Sequence, residues 1–237
     1  MNSNPARRAA LSVGVVVVVV AGCSVTDRKV SGTASAPANA ATPTTSTRPV
    51  DSFVDPATVP TLLAPPEDVA GIVGVGMTPG RIFKQPFSNL SSEPARCVDA
   101  VMPGQQSTVY NMPTGFAAQI LDGAAPHVRV VQVVASFAST DDAANSYTIA
   151  NGRWSTCQDK VVTLTADKVV AMQKTGRVET RDSITSIPVT PTDENISVSC
   201  QHAFTARRNI VIDVRVCAPT VGDMGRQLVS KIAAKLT

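Results

Sequence analysis

The sequence predicts an α+β fold: a twisted antiparallel sheet with flanking helices and two disulfides. Three observations predict it. Short β-branched runs recur between residues 115 and 217, most of them parted by turn signals. Helix signals stand at both ends of this stretch, which suits helices flanking an antiparallel sheet. Four cysteines, Cys97, Cys157, Cys200 and Cys217, lie between these helix signals, an even number that reads as disulfides in an exported chain.

Residues 1–22 read as an export signal. Arg7 and Arg8 form a short positive region, and an apolar run follows from Ala9 to Val20. That run is too short to span a bilayer, which needs ~20 apolar residues. It ends in Val20-Ala21-Gly22-Cys23, which matches the lipobox of bacterial lipoproteins. The match implies cleavage before Cys23, diacylglycerol on its sulfur and an acyl group on the new amino terminus. Two or more chains at ~0.8 kcal/mol per buried CH₂ hold a protein stably on a membrane. The expected location is the cell membrane, lipid-anchored, on its extracytoplasmic face. Residues 23–57 then form a tether. From Ser31 to Val50 it is almost wholly Ser, Thr, Ala and Pro, too polar to offset the entropy of ordering. Its reach lies between ~30 Å as a coil and ~100 Å when extended.

The folded domain is expected over residues 58–237. Pro65-Pro66-Glu67-Asp68 opens a helix, with proline early and acids in the first turn, and Gly74 and Gly76 stop it. A short helix around Ala95 to Val101 carries Cys97. Gly115 to Leu121 and His127 to Ala138 read as strands. Ser139-Thr140-Asp141-Asp142 caps a helix running towards Trp154 and Cys157. Val161 to Leu164 and Val169 to Met172 read as strands joined near Ala166-Asp167, and a further strand surrounds Val178 to Ile187. Asn195 to Ala206 and Ile210 to Cys217 make a hairpin. Val221 to Leu236 closes the chain as an amphipathic helix, with Met224, Leu228, Ile232 and Leu236 at helical spacing.

The hairpin sets a register. A turn at Arg208-Asn209, where Asn tolerates the left-handed region, places Arg207 opposite Ile210, Thr205 opposite Ile212 and Cys200 opposite Cys217. Directly opposed cysteines can bond, which leaves Cys97 for Cys157. Ala203, Ile210, Ile212, Val214 and Val216 then share a core face. His202, Asp213 and Arg215 share the other with the disulfide. These polar residues read either as part of a binding surface or as a solvated sheet face. Trp154 reads either as a ligand-stacking residue or, beside a disulfide, as core.

Ser199-Cys200-Gln201-His202-Ala203, then Asn209 to Val214 and Cys217, are similar to the end of the PknH-like extracellular domain. Earlier pieces agree in order and spacing. They are Leu62-Leu63 before Pro65-Pro66-Glu67-Asp68, Cys97 followed by Ala100, the strand from Val130 to Phe137, and Trp154-Ser155-Thr156-Cys157. The likeness runs from about Leu62 to Leu236. That domain is the sensor of a mycobacterial receptor kinase and also occurs in mycobacterial lipoproteins. The resemblance implies an antiparallel sheet with helices, two disulfides and a cleft for an envelope ligand. Nothing in this sequence reads as a kinase domain or a spanning helix, so a displayed ligand-binding module is expected.

Composition narrows the function. The formal charge of +3 falls to about +1 without Arg7 and Arg8, and no basic stripe with interleaved aromatics occurs, so nucleic acid is not an expected partner. The cysteines lack Cys-x-x-Cys spacing, and the two histidines are His127 and His202, so no metal or cofactor is expected. No Gly-x-Ser-x-Gly elbow is present. Lys174-Thr175-Gly176 has no Ser-x-x-Lys to accompany it, and the domain is expected to be non-catalytic. The expected partners are the membrane, a small-molecule or envelope-component ligand in a cleft, or an envelope protein. A purely structural or protein-interaction lipoprotein and an envelope hydrolase are the alternatives.

Overall fold

A computed structural model describes residues 53–236, except 89, 108–111, 126 and 167–168. The export signal, Cys23 and nearly all of the tether lie outside the described residues, as does Asp167 of the expected turn.

The described chain enters through a 3-10 turn, Pro56–Thr58, where the Asp55 carboxylate accepts from the Ala57 N–H at 2.8 Å. Helix α1 (Val59–Leu62) and helix α2 (Pro66–Val73) follow. Glu67 and Asp68 lie in the first turn of α2, and Gly74 ends it at φ 75°, a conformation glycine adopts without strain. Strand β1 (Met77–Phe83), strand β2 (Ser91–Glu93), helix α3 (Val98–Val101), strand β3 (Gly115–Gly123) and strand β4 (Arg129–Ser136) come next. Helix α4 (Thr140–Thr156) starts at Ser139, whose hydroxyl accepts from the Asp142 N–H at 3.0 Å. Then come β5 (Val161–Ala166), β6 (Val169–Thr175), β7 (Glu179–Arg181), β8 (Ile184–Pro191), β9 (Ser199–Arg207) and β10 (Ile210–Ala218). Helix α5 (Met224–Ala233) closes the described chain with a 3-10 turn, Ala234–Leu236.

The strands form one antiparallel sheet in the order β1-β3-β4-β10-β9-β8-β6-β5-β2, with β7 paired to β8. The two strands that the sequence pattern does not announce, β1 and β2, are its edges. Pro79 lacks a ladder donor and the register of β1 shifts between Pro79 and Ile82, which blunts that edge. The single strand expected across residues 178–187 is instead the β7–β8 hairpin. Its turn is made by Asp182 (φ 53°) and Ser183 (φ 60°), both left-handed without a glycine.

The β9–β10 register agrees with the one read from the turn: Arg207 pairs with Ile210, Thr205 with Ile212 and Cys200 with Cys217. Cys200 and Cys217 are bonded with Cα atoms 4.0 Å apart, as suits a close, non-hydrogen-bonded pair. Cys97 is bonded to Cys157, Cα to Cα 5.6 Å, and ties the turn before α3 to the end of α4. One detail of the turn differs. Arg208 takes the positive φ of 54°, because the Asn209 side chain has other work.

That work is a clamp. The Asn209 amide accepts from the Val54 N–H at 3.0 Å and donates to the Val54 and Phe137 carbonyls at 3.1 and 3.2 Å. Gln132 does the same to Ala64, accepting from its N–H at 2.8 Å and donating to its carbonyl at 2.9 Å. Two buried amides thus imitate a strand partner and fasten the domain's first segment to the sheet.

The sheet buries both faces. On the first, Ile210, Ile212, Val214 and Val216 of β10 and Val130 and Val134 of β4 meet Leu228, Val229 and Ile232 of α5 and Val69 of α2. On the second, α3 and α4 pack Val98, Val101, Ala150 and Trp154 over Phe204, Ile187 and Val162. Both disulfides lie in this second layer.

Candidate functional site

The four candidate binding residues, Trp154 on α4 and His202, Asp213 and Arg215 on the sheet, have different fates. Trp154 and His202 are fully buried and Asp213 nearly so. They do not form a binding surface, nor is this part of the sheet solvated. The reason is α4, whose stripe of Ala143, Ser146, Ala150 and Trp154 is buried on the domain interior. The Trp154 ring lies 4.3 Å from His202 and 4.5 Å from Phe204, centroid to centroid. Trp154 is therefore core.

His202 and Asp213 meet diagonally across β9 and β10, Nε2 to Oδ1 at 2.6 Å. His202 Nδ1 faces the Ala100 carbonyl at 3.0 Å, which requires a proton on that nitrogen. The other Asp213 oxygen accepts from the Gly104 N–H at 2.9 Å. The pair thus pins α3 and the loop after it onto the sheet. Gly104 (φ 68°) comes so close that a Cβ there would lie 2.9 Å from Val133. Both ring nitrogens are engaged and the ring is sealed, so His202 holds no free nitrogen for a nucleophile.

Arg215 is the exception. It lines an open cleft of about 650 Å³ at the end of the sheet where β4 begins and β10 ends. Such a volume is in the ordinary range for small-molecule sites. The floor is Val131, Arg215 and the Cys200–Cys217 disulfide. One wall is the β3–β4 connection with Asp122, His127 and Arg129; the other is Met102, Pro191 and Val198. At the rim Arg129 is bonded to Asp122 at 2.7 Å, both side chains exposed. His127 is exposed too, in a left-handed turn at φ 65°.

The half-buried Arg215 guanidinium has only neutral neighbours. It donates to Met102 Sδ at 3.0 Å, Cys200 Sγ at 3.2 Å and Gln173 Oε1 at 3.3 Å. Its Nε has no partner. Sulfur is a weak acceptor, and no carboxylate meets this cation among the described residues. Burial without a counter-charge lowers its pKa to about 10, still far enough above neutrality to keep it charged. The sequence pointed to Arg215 through the register. It carried no signal for Gln173 and Met102, because β6 and the α3 loop reach the cleft only through tertiary packing.

Fold and site together define a disulfide-stapled α+β domain built on one antiparallel sheet with an open cleft. The chain belongs to the PknH-like extracellular domain family, whose profile matches residues 54–235. Its relatives include the serine/threonine-protein kinase PknJ of Mycobacterium tuberculosis and that of Mycobacterium bovis. Each is 30% identical over 171 residues, which is 68% of this chain and 29% of the kinase. The chain therefore spans less than a third of these relatives' length. The crystal structure of the extracellular domain of PknH from Mycobacterium tuberculosis superposes with a TM-score of 0.74 at 21% identity. The match covers 78% of this chain and 97% of that domain, and establishes a shared fold.

Proposed function

We propose that the protein is a cell-envelope lipoprotein, anchored through acylated Cys23 at the extracytoplasmic face of the membrane. Its PknH-like domain is a non-catalytic module that binds a ligand in the cleft. The observation that carries this reading is the cleft itself, with a cation on its floor that meets no carboxylate among the described residues and with Met102, Pro191 and Val198 forming an apolar side. The saturated His202–Asp213 pair supports a structural role for the one buried histidine, and so supports the non-catalytic reading. No described helix is long and apolar enough to cross a membrane, and the proposed attachment rests on the Val-Ala-Gly-Cys motif.

Native mass spectrometry of the full chain, taken from its own membrane, tests both parts. The expected spectrum shows a mature chain beginning at a lipidated Cys23, and a retained small molecule that is lost when Val131→Trp fills the cleft. An unmodified Cys23 contradicts the anchor. A persistently empty cleft contradicts the binding module.

One observation favours a second reading, a protein-interaction module. The β5–β6 hairpin exposes Val161, Val169, Val170 and Met172, with Val169 67% and Val170 62% accessible. Photocrosslinking from position 170 in cells checks this, and a discrete crosslinked envelope protein would support it.

A further inference from the structure

Arg153, Arg226 and Arg215 are not alike. Arg153 meets the Asp99 carboxylate at 3.0 Å. Arg226 meets Asp223 at 3.2 Å and Glu179 at 3.8 Å, and donates to the Ile184 and Glu179 carbonyls at 2.7 and 2.9 Å. Arg215 meets two sulfurs and an amide oxygen. A guanidinium partly withdrawn from water with no carboxylate beside it is unfavourable, and an incoming counter-charge would offset that cost. Its neutral partners are easily exchanged for the oxygens of an anion, which would accept stronger, charge-assisted bonds in the planar geometry that suits Arg.

The surroundings fix the rest. Among the described lining residues the one carboxylate, Asp122, is already bonded to Arg129. The cleft thus holds one uncompensated positive charge, at its floor. Besides the Gln173 amide, the groups around it are apolar or weakly polar: Val131 paired with it across the strands, Met102 and the disulfide in contact with it, and Val198 and Pro191 further along the lining.

We infer that the cleft takes a small amphiphile, seating one carboxylate or phosphate head on Arg215 and laying an apolar body along Val131, Val198 and Pro191. This rests on the cleft being the binding site, as proposed above. The head is recognised by charge and planarity, and the body by exclusion of water from the apolar wall. Carboxylate and phosphate share this chemistry, and the experiment separates them.

The test is methyl NMR of the full chain in lipid nanodiscs, titrated with hexanoate, hexyl phosphate, hexan-1-ol, hexyltrimethylammonium and inorganic phosphate. The core methyls of Ile212 and Val214 report folding. Hexanoate or hexyl phosphate is expected to shift the Val131 and Val198 methyls at least tenfold more tightly than hexanol, and hexyltrimethylammonium not at all. The preferred head is the one bound more tightly. Arg215→Gln is expected to weaken the anionic probe about tenfold or more and to leave hexanol unchanged, whereas Arg215→Lys keeps part of the preference for the anion. Hexanol binding as well as the anions, with Arg215→Gln without effect, overturns the inference and leaves the cleft as an apolar site. Inorganic phosphate binding as tightly as hexyl phosphate overturns the apolar body. If no probe moves a cleft methyl, the cleft reading falls and the inference with it.

Discussion

On one face of the sheet, Ile210, Ile212, Val214 and Val216 meet Leu228, Val229 and Ile232, aliphatic side chain against aliphatic side chain. On the other, the same strand presents Asp213, Arg215 and Cys217 to α3, α4 and the cleft. The first face is held mainly by burial, a force that is non-directional and tolerant of small changes, with the Gln132–Ala64 clamp and the bonds of Arg226 at its margins. The second is held by specific bonds: two disulfides, the His202–Asp213 pair and the Tyr147–Thr185 hydroxyl contact at 2.8 Å. The aromatic side chains Trp154, Phe204 and Tyr147 fill this second layer, and the crosslinks and polar pairs are set among them. That arrangement also leaves an opening at one end, where Arg215 lies.

The contrast predicts unequal sensitivity. Asp213→Ala should lower stability by about 3–5 kcal/mol in urea denaturation, because it leaves the His202 Nε2 and the Gly104 N–H buried without partners. A loss under 1 kcal/mol would mean that water reaches this layer. Next come the disulfides. Removing Cys97–Cys157, which spans 60 residues, should lower stability by about 4 kcal/mol, and removing Cys200–Cys217, which spans 17, by about 3. The opposite order, measured by thermal or urea unfolding of Cys→Ser pairs, would show that local strand geometry outweighs loop closure. On the first face Ile212→Val should lower stability by only about 1 kcal/mol, since a single methyl is lost from a repackable aliphatic core. The smallest effect has the opposite sign. Arg215→Met should raise stability by about 1 kcal/mol, because a thioether chain fits among Met102, Val131 and the disulfide without a desolvated charge. The Gln173 amide left behind is half-buried and can turn to water.

The same contrast governs how much could be read from the sequence. The first face is written in period two along Ile210 to Val216 and in helical spacing along Met224, Leu228, Ile232 and Leu236, so its members and the β9–β10 register were legible. The disulfide pairing followed from that register. The second face was not legible, because His202 and Asp213 look solvated when considered singly. Only their diagonal approach, under a helix that arrives from 50 residues earlier, makes them interior. Strand β1 was hidden by Pro79 and Gly80, and the β7–β8 turn by Asp182 and Ser183, which adopt positive φ without the usual Gly or Asn. The clamps of Gln132 on Ala64 and Asn209 on Val54 join residues 68 and 155 apart, a separation at which no local pattern speaks.

The account turns on Arg215 being kept for an incoming anion and not for the fold. The most direct measurement is the melting temperature of ligand-free Arg215→Met beside that of the wild type. A rise is expected, with the Cys200–Cys217 disulfide intact in both. A fall would contradict it, since the guanidinium would then be a stabilising part of the second face.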